Sequence, residues 1–115
     1  MATSIISDTQ KVDKSSSVQG VSGVFNVTGK TVIQSDKIVY ANISGSATSN
    51  HSGNIVVVTG LPKAYVNQVV SIVKTGSSKI LQMAINTDGE VKYLYSQDHL
   101  ANGEEFSLNF MYICK

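Results

Sequence analysis

The sequence predicts an all-β domain, and three observations carry the prediction. Val and Ile together number 25 against five Leu. Branching at Cβ stiffens χ1 and suits a pleated strand better than a helix. Ser, Thr, Asn and Gly supply much of the remainder. They favour turns, because their side chains compete for backbone hydrogen bonds or because Gly accepts positive φ. Near the C-terminus, residues 105–113 (EFSLNFMYI) alternate Phe106, Leu108, Phe110 and Tyr112 with Ser107, Asn109 and Met111. That is the period-2 signature of a half-buried strand.

The elements follow in order. Residues 1–17 are polar apart from Ile5-Ile6 and show no sustained period, which reads as a flexible lead or the end of a linker. A Met-Ala opening is also what a domain excised from a longer protein would carry. A single domain is expected over 18–115. Val21, Gly23, Phe25 and Val27 suggest a weak first strand, Gly29-Lys30 a turn, Thr31–Gln34 a short strand and Asp36-Lys37 the next turn. Lys37–Ile43 (KIVYANI) is apolar on both faces, as a strand in a sandwich interior or under a subunit contact would be. Residues 44–53 (SGSATSNHSG) read as a loop, and Asn54–Thr59 as another two-sided strand closed by Gly60.

Residues 63–74 fit two templates. Val66, Val69, Val70 and Val73 lie at helical spacing, with Pro62 placed for a first turn and Gly76 for a cap. Against a helix, each Val repeats the χ1 cost, which favours a strand. Residues 79–85 alternate, Asn86–Gly89 is an Asp-Gly turn, and Val91, Tyr93 and Tyr95 mark the return strand of a hairpin. Residues 97–104 form a loop. The total is about seven or eight antiparallel strands with turns every 8–12 residues, the pattern of a small β-sandwich or jelly roll. Its core is expected to join Phe106, Leu108, Phe110 and Tyr112 to Ile55, Val57, Ile80 and Val91.

Composition narrows the function. The chain has 115 residues, 42% hydrophobic and only 15% charged, with a net charge of +1 from nine Lys and eight acids and no Arg. Nucleic-acid binding wants a clustered basic surface and Arg at base edges, so it is not expected. No apolar run is long enough for a membrane span, and no signal-peptide pattern opens the chain. The one Cys, Cys114, has no partner for an internal disulfide.

Catalysis is not expected either. The two His, His51 and His99, lie in polar loops, and no Ser sits in a nucleophile-elbow pattern. One Cys and two distant His do not make a zinc site, no Asp-rich calcium loop occurs, and no helix follows Gly20 and Gly23 to cradle a phosphate. Neither metal nor cofactor is expected. Asn26, Asn42 and Asn50 each open an Asn-x-Ser/Thr triplet, which chance explains in a chain this rich in those residues. The loops 44–53 and 97–104 hold the best binding candidates: Asn50, His51, Tyr95, Asp98, His99, Asn102 and Glu104. Saccharide sites combine planar polar groups with an aromatic face, and Tyr95 beside Asp98 and His99 offers that combination. The plain alternative is a pair of ordinary solvated loops.

From Lys37 onward the chain resembles the C-terminal head or accessory domains of tailed-phage tail-fibre and baseplate receptor-binding proteins. The residues that carry this are KIVYANISG, then GNIVVVTGLPKAY with a Leu61-Pro62-x-x-Tyr65 turn, the hairpin INTDGEV, and the aromatic finish FSLNFMYI. Lys63-Ala64 departs from the family, as does the lack of Trp in the finish. The resemblance implies a non-enzymatic virion component of the tail or baseplate, made in the host cytoplasm and assembled as a homotrimer with other tail proteins. It implies adhesion to a host cell-surface saccharide. A bacterial carbohydrate-binding or adhesion module, or a purely structural assembly domain, are the alternatives. The residues themselves add one reason for a homotrimer: the second faces of strands 37–43 and 54–59 need a neighbour.

Overall fold

The computed structural model describes residues 11–51, 53–73, 80–94 and 101–115. Two antiparallel sheets enclose one core. The first carries β1 (Lys11–Asp13), β3 (Phe25–Ser35), β4 (Ile38–Ala47) and β9 (Glu105–Ile113), in the order β1-β3-β4-β9. The second carries β2 (Gln19–Gly20), β5 (Ile55–Thr59), β6 (Gln68–Val73), β7 (Ile80–Ile85) and β8 (Val91–Tyr93), in the order β2-β5-β8-β7-β6. Among the described residues the only helical element is the 3-10 turn Ser15–Ser17, and none is long and apolar enough to cross a membrane. The all-β reading and the sandwich architecture hold, with nine strands among the described residues where seven or eight were expected.

Alternation decides which residues fill the core. β9 runs exposed-buried throughout, so Phe106, Leu108, Phe110 and Tyr112 all point inward. They meet Val57, Leu81, Met83, Ile85, Val91 and Tyr93 from the opposite sheet. Ile80 is a correction: it is exposed rather than in the core. Leu81, Met83 and Ile85 occupy the inner face of β7, and a period of two then turns residue 80 outward.

Three further expectations change, and the preference for a strand at 68–73 holds. Gly29-Lys30 is no turn, because β3 runs straight through it and absorbs the extra residue as a bulge between Val27 and Gly29. Ser44–Ala47 is strand rather than loop: β4 pairs there with β9, and the Phe25 and Phe106 rings, 4.8 Å apart, supply the bulk its small side chains lack. Residues 68–73 form a strand paired with β7, so χ1 stiffness prevails over helical spacing. The polar stretch before Val18 is not all lead, since Lys11–Asp13 adds β1 beside β3. Ser15 fixes that addition. Its backbone N–H and hydroxyl hydrogen-bond the Asp13 carboxylate, holding the acid below its ordinary range, and its Oγ accepts from Val32 N at 2.8 Å.

The Asp-Gly hairpin is as expected. Asn86 Oδ1 accepts from Asp88 N and Glu90 N, both at 3.0 Å, and Gly89 takes the positive φ (80°) that the turn needs. The segment after Gly60 straps the two sheets together. Leu61 N donates to Gly89 O at the hairpin tip, while Tyr65 N donates to Ile113 O at the end of β9 and Ala64 bridges Cys114 just beyond it. In the Leu61-Pro62-x-x-Tyr65 turn, Leu61 is buried and Pro62 O accepts from the Tyr112 hydroxyl at 2.7 Å.

That hydroxyl yields a prediction. Burial pushes the Tyr112 phenol well above its ordinary value, and the Cys114 thiol beside it adds to the rise. The folded state therefore keeps Tyr112 neutral while the unfolded chain ionises, so its contribution is complete below the unfolded value of about 10 and falls as pH rises beyond it. Tyr112→Phe is expected to cost about 1 kcal/mol at neutral pH through the lost hydrogen bond. It should also flatten the alkaline loss of stability. Denaturant melts on either side of that pH check both.

Candidate functional site

The strand ends bring two of the expected loops together. At the end of β4, Ala47 N donates to Glu104 O at 2.9 Å, and Gly103 N donates to Ala47 O at 2.7 Å. One residue on, Thr48 N donates to Val24 O at 2.9 Å, which adds the turn before β3 to the cluster. Asn50 then closes it: its Oδ1 accepts from Asn102 N at 2.8 Å. Residues 52 positions apart thus share one surface because β4 and β9 are register partners from Ser46↔Glu105 onward. Glu104 turns its carboxylate back on its own loop, accepting from Ala101 N at 3.0 Å.

Of the expected binding residues, Asn50, His51 and Asn102 lie in this cluster. Tyr95, Asp98 and His99 lie outside the described residues. Asn50 and Asn102 are exposed, and His51 is half-buried. The side chains of Asn50 and Asn102 present planar amides to solvent-facing partners.

His51 makes a contact that resembles a catalytic dyad and works the other way. Ser49 Oγ lies 2.6 Å from His51 Nε2 and 2.7 Å from Gly23 O. A hydroxyl has one proton, and a carbonyl can only accept. Ser49 therefore donates to Gly23 O and accepts from Nε2–H of His51. A nucleophilic serine must instead donate to its histidine. The pair braces the loop on the turn before β3. Among the described residues, no group of three or more His, Cys, Asp or Glu is placed to hold a metal ion.

Beside the cluster runs a groove of about 530 Å³ that the sequence reading missed. Gln19, Ser22, Asn26, Lys30, Ser46 and Thr48 line it. Lys30 Nζ is tied to Val18 O at 2.7 Å, which leaves its remaining donors for the groove. The missed signal was the bulge. With Gly29-Lys30 read as a turn, Lys30 fell outside the strand whose twist places it here. No protein-family model matches the chain and no curated protein matches it, so the phage-like reading rests on the residues that carry the resemblance.

Proposed function

We propose that the chain is a non-enzymatic adhesion module of a phage tail or baseplate, a homotrimer in the virion, that recognises a host cell-surface saccharide through its loop end. The observation that carries this reading is the Asn102–Asn50 hydrogen bond. Two loops singled out for their polar side chains meet there, against a groove lined by amide, hydroxyl and ammonium groups together with the apolar Val18, Phe25 and Val27. Saccharide hydroxyls are bound by such planar donor–acceptor groups, and a surface of low net charge suits short-range hydrogen bonding rather than long-range steering. The same site would serve a bacterial carbohydrate-binding module. A purely structural virion domain is the second reading, favoured by the apolar surface at the far end of the first sheet.

An array of purified bacterial surface polysaccharides, probed with the wild-type chain and with Asn50→Ala, tests the proposal. Wild type is expected to be retained on at least one polysaccharide. Asn50→Ala is expected to weaken that retention about tenfold, since it removes one amide and frees residue 102. No retention of wild type, or equal retention of the two proteins, would overturn the reading.

A further inference from the structure

The loop end of the first sheet is polar, and its other end is not. Side chains that share a register row share a face. On the outer face, one row holds Lys11, Ser35, Ile38 and Ile113, and the next holds Asp13, Ile33, Tyr40 and Met111. The third row, Thr31, Asn42 and Asn109, is already polar. Ile38 is 44% exposed, Tyr40 38%, Met111 59% and Ile113 57%. Tyr65, tied to Ile113 through the backbone, is 67% exposed and joins it in lining a cavity of about 580 Å³ with Cys114 at its wall.

These five side chains expose on the order of 600 Å² of mostly apolar surface, at the top of the range for the largest patch on a monomer. A stable interface takes roughly 800 Å² from each partner. The patch with its polar third row reaches that size. β4 and β9 pair from Ile38↔Ile113 to Ser46↔Glu105 without a register shift, so the face is regular and open to close packing by a neighbouring copy. No charged residue lies among the five. Lys11 and Asp13 stand at the β1 side, Lys37 and Lys115 line the cavity beside Tyr65 and Ile113, and the net charge of +1 keeps the overall repulsion between copies small.

We infer that a second copy of this chain covers the patch: Ile38, Tyr40, Met111, Ile113 and Tyr65 form the contact between subunits. The inference deepens the proposed function by naming the surface that joins the trimer. It places that surface at the opposite end of β4 from Asn50, about 30 Å away at roughly 3.3 Å per residue. Three loop ends then project away from the axis together, where weak sites add through avidity.

Sedimentation equilibrium on the full chain tests it, with Met111→Lys and Ile38→Lys as interface variants and Val69→Lys as an exposed control on the other sheet. Circular dichroism and thermal melts confirm folding, and two interface variants guard against one that fails to fold. The expected result is a multi-chain mass for wild type and Val69→Lys, with a shift to single chains for the folded interface variants. A single-chain mass for wild type into the high micromolar range would overturn the inference. An assembly that both interface variants leave intact would overturn it as well. So would a monomer that assembles only when residues 1–10 are deleted, because the patch would then be covered by the chain's own N-terminal segment. Saccharide retention of the interface variants, measured at matched subunit concentration on a monovalent surface, separates failure here from failure of the proposed function.

Discussion

Phe110→Ala is expected to lower the free energy of unfolding by about 3–5 kcal/mol, from lost transfer energy plus the cavity left behind. Phe110 is 7% exposed and pairs with Tyr112 at a ring-centroid distance of 5.7 Å. It sits across from Ala41 on β4, so a small neighbour has no bulk with which to refill the space. Among the described residues β9 has a strand partner on one side only, with Tyr65 N and Gln68 Nε2 reaching the carbonyls of Ile113 and Met111 on the other. Side-chain burial therefore holds much of β9 in place. Urea melts measure the effect, and a change within about 0.5 kcal/mol would show that this face of β9 is not the core.

Gly60→Ala is expected to cost about 2–4 kcal/mol, through backbone geometry rather than lost contacts. Gly60 has φ of 87°, which is unfavourable for any residue with a Cβ. An added Cβ would also run into the Ser17 carbonyl, which is backbone and cannot swing aside. Ser17 Oγ donates to Gly60 O at 2.9 Å, so displacing one segment displaces both. The strap from Leu61 to Tyr65 starts here, and it links the hairpin tip to the end of β9. A melt of Gly60→Ala that overlays wild type would show that the strap contributes little to global stability.

The parts of the fold that were legible in the sequence are those where side-chain pattern and backbone agree. β9 reads directly from its alternation, and the hairpin at Asn86–Gly89 reads from turn chemistry that the structure uses as expected. Failures occur where backbone pairing outranks side-chain type. Gly29-Lys30 carries turn residues, yet a neighbouring ladder carries β3 through them as a bulge. Residues 44–47 look like loop, but β3 supplies a partner for each and β9 a second partner for residues 44–46. No local pattern announces such pairing, because it is set by contacts far apart in the chain. The two-sided strands divided. β4 exposes Ile38 and Tyr40, whereas Val57 and Val58 of β5 are both buried, the register shift beside them turning successive residues inward.

For the site, loop composition located Asn50, His51 and Asn102 on one surface, while the Ser49–His51 contact and the Lys30 groove were invisible to it. Both depend on the turn before β3 folding back against β4, which the Thr48–Val24 hydrogen bond records. The β4–β9 strand pair carries a polar loop end and an apolar sheet end. Neither end implies the other's ligand.

The most direct test of this account is a nitrogen-15 chemical-shift titration of the full chain with the polysaccharide that it retains best. The account predicts concentration-dependent shifts centred on Asn50, His51 and Asn102 and on the groove around Asn26 and Lys30, with Ile38, Tyr40 and Met111 unmoved. Shifts centred on the apolar end instead, or none at saturating polysaccharide, would contradict it.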